Sequence, residues 1–253
     1  MSETDNFIGQ FLYYPGRLPP DLPPPEWARG AREVWMNTKD DLRIHGLWWD
    51  KPAGEPVILF LHGNAQEVYS WSLIYEEFSK LQYRLLLIDY RGYGKSQGKP
   101  FEEGLYLDGR AALEWLYEQG IKEHEIIVFG KSLGGAIACE ISQQLKLKAL
   151  ILESTFTSLQ NIASGLFPFL PADLNLKRNY SSIEKVGKLH CPVLVIHGEM
   201  DELIPLQDGI KLFEAVPEPK ELYLVPGAGH NDVSLIGGDQ YVQRIASFLR
   251  RKI

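Results

Sequence analysis

Short, continuous runs of apolar residues, separated by longer stretches with helical spacing, constrain the fold of this chain more than any other feature. The runs are Val57 to Leu61, Leu85 to Ile88, Ile126 to Phe129, Ala149 to Leu152, Val193 to Ile196 and Leu222 to Val225. A strand that lacks a polar face is buried on both sides, which is typical of parallel strands covered by helices. The pattern therefore predicts an α/β fold with a mostly parallel central sheet and helices on both of its faces.

The N-terminal part of the chain follows a different pattern. Residues 1–30 are expected to form an extended lead-in, because Leu18 to Pro25 is rich in proline. Arg32 to Asn37 and Leu42 to Trp49 show the alternation of strands on either side of a polar turn, which predicts an antiparallel hairpin. With this hairpin the sheet has about eight strands, and residues 31–253 fit the length of a single domain.

Five stretches carry apolar residues at three- and four-residue steps and are predicted to be helices. They are Val68 to Leu81, Tyr106 to Tyr117, Leu133 to Leu145, Ile204 to Val216 and Tyr241 to Leu249. The segment 156–190 is long for a connection between two strands and is predicted to be a small cap-like insertion.

Composition excludes some classes of function. The formal net charge is -7 and no basic patch is present, which argues against a nucleic-acid partner. No stretch is long and apolar enough for a transmembrane segment, and Met1 to Asn6 lacks the basic start of a signal peptide. We therefore expect a cytoplasmic protein. Cys139 and Cys191 have no metal-ligand spacing and are expected to be buried thiols, with a disulfide left open.

The strand predicted at Ile126 to Phe129 runs into G-K-S-L-G at residues 130–134, and a helix is predicted directly after it. This is the G-x-S-x-G pattern in the strand–turn–helix context that the motif requires. The tight turn lifts the hydroxyl of Ser132 above the strand ends and places it near a helix N-terminus. Ser132 is therefore the candidate nucleophile.

A serine nucleophile needs a base, and the base needs a carboxylate that orients it. In this strand–turn–helix arrangement the order along the chain is serine, acid, histidine. His230 lies in a glycine-rich loop directly after the last predicted strand and is the candidate base. Asp201 follows the strand Val193 to Ile196 and is the candidate acid, with Glu153 as the alternative. His62 ends a strand and is interpreted as shaping the loop that follows, whereas His197, also at a strand end, is a weaker candidate for the base.

Acyl transfer builds negative charge on a carbonyl oxygen, which main-chain N–H groups can stabilise. The first predicted donor of this oxyanion hole is the amide of Leu133, the residue after the nucleophile. The second is the amide of Asn64, in the loop after the strand Val57 to Leu61.

Five motifs in a fixed order carry a resemblance to a known family. They are L-H-G-N at 61–64, D-Y-R-G-Y-G-K-S at 89–96, G-K-S-L-G-G at 130–135, H-G-E-M-D at 197–201 and G-A-G-H-N at 227–231. From about Arg32 to the C-terminus the chain resembles the α/β-hydrolase superfamily. The sequences of these motifs are similar to those of the small, largely lidless branch that includes protein depalmitoylases and lysophospholipase-like enzymes. Asp89, Arg91 and Gly94 belong to these motifs and are interpreted as loop-stabilising residues.

The predicted function is hydrolysis of a small-molecule carboxylic ester or thioester through an acyl-enzyme on Ser132. This mechanism requires no metal and no organic cofactor. Phe156, Leu159 and Phe167 are candidate walls of a substrate pocket, although packing over the sheet explains the same apolar stretch equally well. A peptidase-like, lysophospholipase or haloperoxidase-type activity and a non-catalytic binding module are the alternatives. Acyl-chain length and oligomeric state stay open at this point.

Overall fold

The computed structural model describes residues 13–51, 55–166 and 180–251. By its internal contacts the chain divides into two compact units, Met1–Val128 and Phe129–Ile253. We call them the first unit and the second unit.

The strands of the first unit include the predicted N-terminal hairpin. They are β1 (Arg32–Asn37), β2 (Arg43–Trp49), β3 (Val57–Leu61) and β4 (Arg84–Ile88). β1 pairs antiparallel with β2, β2 pairs antiparallel with β4, and β4 pairs parallel with β3. Every residue of β3 and β4 is buried, whereas β1 buries only Val34 and Met36. The continuous apolar runs thus form interior strands, and the alternating stretch has one face in the core. A separate short parallel pair joins Tyr14–Pro15 to Ala65–Gln66.

The helices of the first unit differ from the prediction in two places: the helix predicted to begin at Tyr106 begins at Glu102, and the one predicted from Val68 to Leu81 is divided. The described helices are α1 (Val68–Trp71), α2 (Tyr75–Ser79) and α3 (Glu102–Glu118), with 3-10 turns at Glu26–Ala28, Ser72–Ile74 and Glu123–Glu125. The prediction of one helix from Val68 to Leu81 was wrong, because a 3-10 turn separates α1 from α2. The hydroxyl of Ser72 donates a 2.7 Å hydrogen bond to the main-chain oxygen of Tyr69. Such a bond competes with the α-helical pattern at this point.

The second unit continues the strand pattern. β5 (Ile126–Lys131) starts at the end of the first unit and is followed by β6 (Ala149–Glu153), β7 (Val193–Gly198) and β8 (Lys220–Val225). β7 pairs in parallel with both β6 and β8. The strands β1 to β8 form a mostly parallel sheet of eight strands accompanied by helices, and the antiparallel hairpin of β1 and β2 lies at one edge of this sheet. The predicted fold class is confirmed.

The described helices of the second unit are α4 (Leu133–Ile141), α5 (Leu159–Leu166), α6 (Ile183–Val186), α7 (Leu206–Ala215) and α8 (Val233–Arg250). α4 is shorter than predicted: it ends before Gln144, whose φ of 63° lies in the left-handed region and stops a right-handed helix. α8 is longer than predicted, and Gly238 interrupts it with a non-helical kink. Across the described ranges, no helix combines the length and apolarity needed to cross a bilayer.

The segment predicted to be a cap-like insertion holds α5 and α6, and its residues 167–179 lie outside the described residues. Its beginning is attached to α7 through the buried carboxylate of Asp208. Oδ1 of Asp208 accepts hydrogen bonds from the main-chain N–H and the hydroxyl of Thr157, and from Nδ2 of Asn161 at 2.8 Å. A role as a cap stays a prediction, as does the single-domain organisation of residues 31–253.

Candidate active site

The turn after β5 holds Ser132 in a strained conformation. Ser132 has φ 53° and ψ −118°, a combination that residues other than glycine rarely adopt. Its main-chain N–H donates a 2.9 Å hydrogen bond to the main-chain oxygen of Glu153, at the end of β6. A Cβ atom on Gly130 would lie 2.5 Å from the main-chain oxygen of Gly134, so this turn requires glycine. The strand–turn–helix geometry predicted for G-x-S-x-G is therefore present.

Asp201 lies in the loop between β7 and α7, and its side chain is completely buried. Its Oδ1 atom accepts hydrogen bonds from the N–H groups of Leu203 (3.0 Å) and Ile204 (2.8 Å). These two bonds fix the carboxylate in one orientation and leave Oδ2 directed at the histidine side chains described next.

His230 lies in the loop between β8 and α8. This loop is joined to the Asp201 loop by a 2.8 Å hydrogen bond from the N–H of Met200 to the main-chain oxygen of Ala228. Nδ1 of His230 lies 2.9 Å from Oδ2 of Asp201, and Nε2 lies 3.1 Å from Oγ of Ser132. The structure thus brings the three residues predicted as nucleophile, base and acid into one hydrogen-bonded chain.

The protonation of Asp201 determines the direction of these hydrogen bonds. Burial would raise the pKa of Asp201, but the hydrogen bond and charge of His230, with the N–H of Ile204 and the charge of His197, outweigh it. The pKa of Asp201 is therefore below its ordinary value, and the group is a carboxylate near neutral pH. An ionised Asp201 accepts from Nδ1–H of His230, which leaves Nε2 free to accept the proton of the Ser132 hydroxyl.

The other candidate acid and bases have different partners. Glu153 is buried and accepts a 2.6 Å hydrogen bond from the hydroxyl of Tyr241, while its second oxygen pairs with Lys131. His197 donates from Nε2 to the main-chain oxygen of Ile204 at 3.0 Å and lies 3.5 Å from Oδ2 of Asp201. His62 belongs to the first unit, where its Nδ1 lies 2.7 Å from the main-chain oxygen of Gly63.

Sequence reasoning did not include Lys131 among the site residues. Its Nζ atom lies 3.2 Å from the main-chain oxygen of His230, besides pairing with Glu153. The sequence feature that could have indicated a role for Lys131 is its place between a predicted buried strand and the candidate nucleophile.

The predicted oxyanion-hole residues lie at the starts of the expected elements. Leu133 is the first residue of α4, and the N–H groups of a helix's first turn lack intrahelical partners. Asn64 follows β3 in the first unit, where the hydroxyl of Tyr93 donates to its main-chain oxygen (2.8 Å) and to Oδ1 (2.9 Å). These bonds orient the Asn64 loop. The oxyanion hole itself stays a prediction.

Of the predicted pocket residues, Phe156 follows β6 and Leu159 begins α5. Both side chains are buried. Phe167 lies outside the described residues. Their role as pocket walls stays a prediction.

The motif at 89–96 lies in the first unit, and two of its buried side chains form polar contacts. Asp89 is completely buried; its Oδ2 atom lies 3.1 Å from Nδ1 of His45, and Oδ1 accepts from the N–H of Val68 at 2.9 Å. Arg91 is also buried and forms ion pairs with Asp40 (2.7 Å) and Asp108 (2.8 Å). These contacts fit the loop-stabilising role predicted for Asp89 and Arg91.

Comparisons with known proteins agree with this architecture. Residues 56–176 match the family model described as the alpha/beta hydrolase fold. An uncharacterized protein of Mycobacterium tuberculosis is 38% identical over 87% of this chain and 79% of its own length. The human alpha/beta hydrolase domain-containing protein 17B is 36% identical over 80% of this chain and 69% of its own length.

A solved structure, the esterase Pf2001 of Pyrococcus furiosus, is similar with a TM-score of 0.77. It covers 95% of this chain and 97% of its own at 22% identity, and at that identity the likeness shows the fold. The eight-stranded sheet, the matching family model and the identity to the human relative lead to one conclusion: this chain belongs to the alpha/beta hydrolase family.

Proposed function

We propose that the protein is a serine hydrolase that cleaves carboxylic esters or thioesters, with Ser132 as nucleophile, His230 as base and Asp201 as orienting acid. The observation that carries this proposal is the hydrogen-bonded chain from Ser132 Oγ through His230 to Asp201, with separations of 3.1 and 2.9 Å. A nucleophile and base within hydrogen-bond reach, with the base held by a third group, is the arrangement that covalent catalysis requires.

In the proposed acylation, Oγ of Ser132 forms a bond to the carbonyl carbon while Nε2 of His230 takes its proton. The negative charge moves to the carbonyl oxygen, where the N–H groups of Leu133 and Asn64 are the proposed donors. The tetrahedral intermediate then loses its C–O or C–S bond, and His230 gives its proton to the departing alcohol or thiol. The buried Asp201 carboxylate stabilises the imidazolium that forms in between.

Deacylation repeats these steps with water as the nucleophile. His230 takes a proton from the water as its oxygen bonds to the acyl carbon, and the bond to Oγ of Ser132 then breaks. The carboxylic acid leaves and the proton returns to Ser132. Water is consumed and the enzyme is regenerated, so that no further reactant is needed.

The structural neighbour from Pyrococcus furiosus is an esterase, which supports ester cleavage as the proposed reaction. For substrate binding, we propose that the side chains of Phe156 and Leu159 line the site that holds the acyl group. A single-domain organisation and a cytoplasmic location complete the proposal and rest on the sequence.

The first test compares wild type with Ser132→Ala on p-nitrophenyl esters of increasing acyl length. We expect turnover by wild type and a loss of about three or more orders of magnitude in the variant, because the acyl-enzyme cannot form. The chain length with the highest kcat/KM would measure the size of the acyl site. Labelling by a fluorophosphonate should require Ser132 as well.

Ser142→Ala is the matched control for this experiment. Ser142 is buried at the end of α4, and among the described residues its hydroxyl has no hydrogen-bond partner. This control should keep wild-type activity. A folded wild type that neither turns over these esters nor reacts with the fluorophosphonate would contradict the proposed function.

A further inference from the structure

Lys131 is a buried cation directly before the candidate nucleophile. Its side chain is 8% exposed and that of its partner Glu153 is 3% exposed. Removing a charge from water is costly unless the charge is paired and its remaining donors are satisfied. A lysine at this position therefore needs specific partners, and their identity indicates what the residue does.

One partner of Lys131 lies in the loop of the candidate base, and the other, Glu153, lies at the end of β6. Nζ pairs with Oε1 of Glu153, and it donates a 3.2 Å hydrogen bond to the main-chain oxygen of His230. Oε2 of Glu153 accepts from the hydroxyl of Tyr241 in α8, the helix that follows the His230 loop. The main-chain oxygen of Glu153 accepts from the N–H of Ser132 at 2.9 Å.

These contacts form a second link between the nucleophile turn and the His230 loop, separate from the hydrogen bond between the two side chains. The main chain of His230 is held at both of its polar groups. Its N–H donates to Oε2 of Glu202 at 3.3 Å, and its carbonyl oxygen accepts from Lys131. The imidazole of His230 is thereby attached to a main chain whose position is fixed relative to Ser132.

We infer that Lys131 is a positioning residue, paired with Glu153, that holds the main chain of His230 so that Nε2 stays within hydrogen-bond reach of Ser132 Oγ. This inference rests on the proposed function of the same site. Stability by itself does not account for the pair, because replacing a buried ion pair by apolar groups of similar size is often neutral or stabilising. The contact with the carbonyl of the candidate base is what a purely stabilising pair would lack.

The test uses Lys131→Met, Glu153→Gln and the double variant carrying both changes. The single Lys131→Met variant leaves the Glu153 carboxylate buried without its cation, so it should have a lower Tm than wild type. In the double variant the carboxylate is gone as well, so its Tm should recover toward that of wild type.

Activity should not recover with Tm. Misplacement of a catalytic group by about 1 Å can cost about 100-fold in rate. We expect kcat of the double variant on a p-nitrophenyl ester to fall about 10- to 100-fold with KM unchanged. Glu153→Gln keeps an amide oxygen for Lys131 and leaves the contact between Lys131 and His230 in place. It should therefore retain more of kcat than the double variant.

A second ion pair in the same unit provides the matched control. Lys185 in α6 lies 3.3 Å from Glu140 in α4, and both side chains are largely buried. The change Lys185→Met removes a comparable pair that does not contact His230, so kcat should stay at the wild-type value.

The outcomes separate the two proposals. A folded double variant with wild-type kcat, whether or not its KM has risen, would overturn the positioning role while the proposed function stands. Equal loss of kcat in Glu153→Gln and in the double variant would also overturn it. A folded wild type whose Ser132 reacts with neither esters nor a fluorophosphonate overturns the proposed function, and the positioning role with it.

Discussion

Asp201 is a residue whose surroundings are unusually specific. Two main-chain N–H groups bind Oδ1, and Oδ2 faces Nδ1 of His230 at 2.9 Å and Nε2 of His197 at 3.5 Å. His197 is held by a hydrogen bond from its Nε2 to the main-chain oxygen of Ile204. It therefore lies beside the Asp201 carboxylate, while His230 is the histidine that joins Asp201 to Ser132. A carboxylate with this many donors is restricted to a single orientation, which an orienting acid requires.

We expect Asp201→Asn to lower kcat by about 10⁴-fold, the loss measured for the equivalent change in a serine protease triad. The amide oxygen can still accept from Leu203 and Ile204, but the amide nitrogen then faces Nδ1 of His230 and favours the wrong tautomer. Steady-state kinetics on a p-nitrophenyl ester, with circular dichroism to verify folding, would measure this.

The control is Glu199→Gln, an exposed carboxylate in the same loop, and it should leave kcat unchanged. Equal activity of Asp201→Asn and wild type would show that Asp201 does not orient His230.

At the scale of elements, α8 follows the His230 loop and changes direction at Gly238. This residue has φ 50° and ψ −137°, outside the helical region, and a side chain added there would have no atom within 4 Å. Space is therefore not the constraint at Gly238. The constraint is the backbone conformation of Gly238, because residues with a side chain rarely adopt it.

The change Gly238→Ala should lower the free energy of unfolding by about 1–3 kcal/mol through backbone strain, although no atom clashes. Gly187, at the end of α6, is the matched control because it also has open space but a φ of −66°. There alanine should be neutral or stabilise by about 0.4–1 kcal/mol. Chemical denaturation of both variants measures the difference, and equal effects would contradict the role assigned to the kink.

At the scale of the whole molecule, the stabilising contributions of three carboxylates should be lost in acid. The pKa values of three described carboxyl groups, Glu33, Asp40 and Asp201, lie below their ordinary values. At Asp40 the hydrogen bond from Arg91 is the largest cause and lowers the pKa to about 2, from an ordinary value of 3.8. A carboxylate with a lowered pKa stabilises the folded state above its unfolded pKa, and the contribution is lost as pH falls through the folded pKa.

The Asp40 contribution should therefore be complete above about pH 4 and disappear between about pH 4 and pH 2. Because the Asp40 side chain is 40% exposed, we expect Asp40→Asn to cost at most about 1 kcal/mol at pH 7. The Tm difference between wild type and Asp40→Asn should shrink as the pH is lowered from 5 to about 3. A difference that stays constant over this range would contradict the assignment.

The matched control is Asp41→Asn in the same turn. Asp41 is exposed and has φ 62°, which asparagine also tolerates, so the control keeps the backbone and removes a neighbouring charge. Its Tm should stay close to that of wild type at each pH.

Much of the fold could be predicted because its signals are local. The runs that became β3, β4 and β6 are apolar at nearly every position, and their burial on both faces follows from that. The break between α1 and α2 could not be read from apolar spacing, since a 3-10 turn changes that spacing little. Likewise, helix was predicted only from Tyr241, and the Gly237-Gly238 pair before it does not specify the backbone angle that kinks α8 at Gly238.

For the candidate site, residue types, chain order and turn chemistry were sufficient to nominate Ser132, Asp201 and His230. Their contacts depended on tertiary structure, because they join residues 98 and 29 positions apart in the chain. The same holds for Glu153. Its place at the end of a predicted strand made it the alternative candidate for the acid, but in the structure its side chain contacts Lys131 and Tyr241. Hydrophobic periodicity and turn propensity act over a few residues, so they specify elements; which charged group meets which partner is settled only when distant loops pack together.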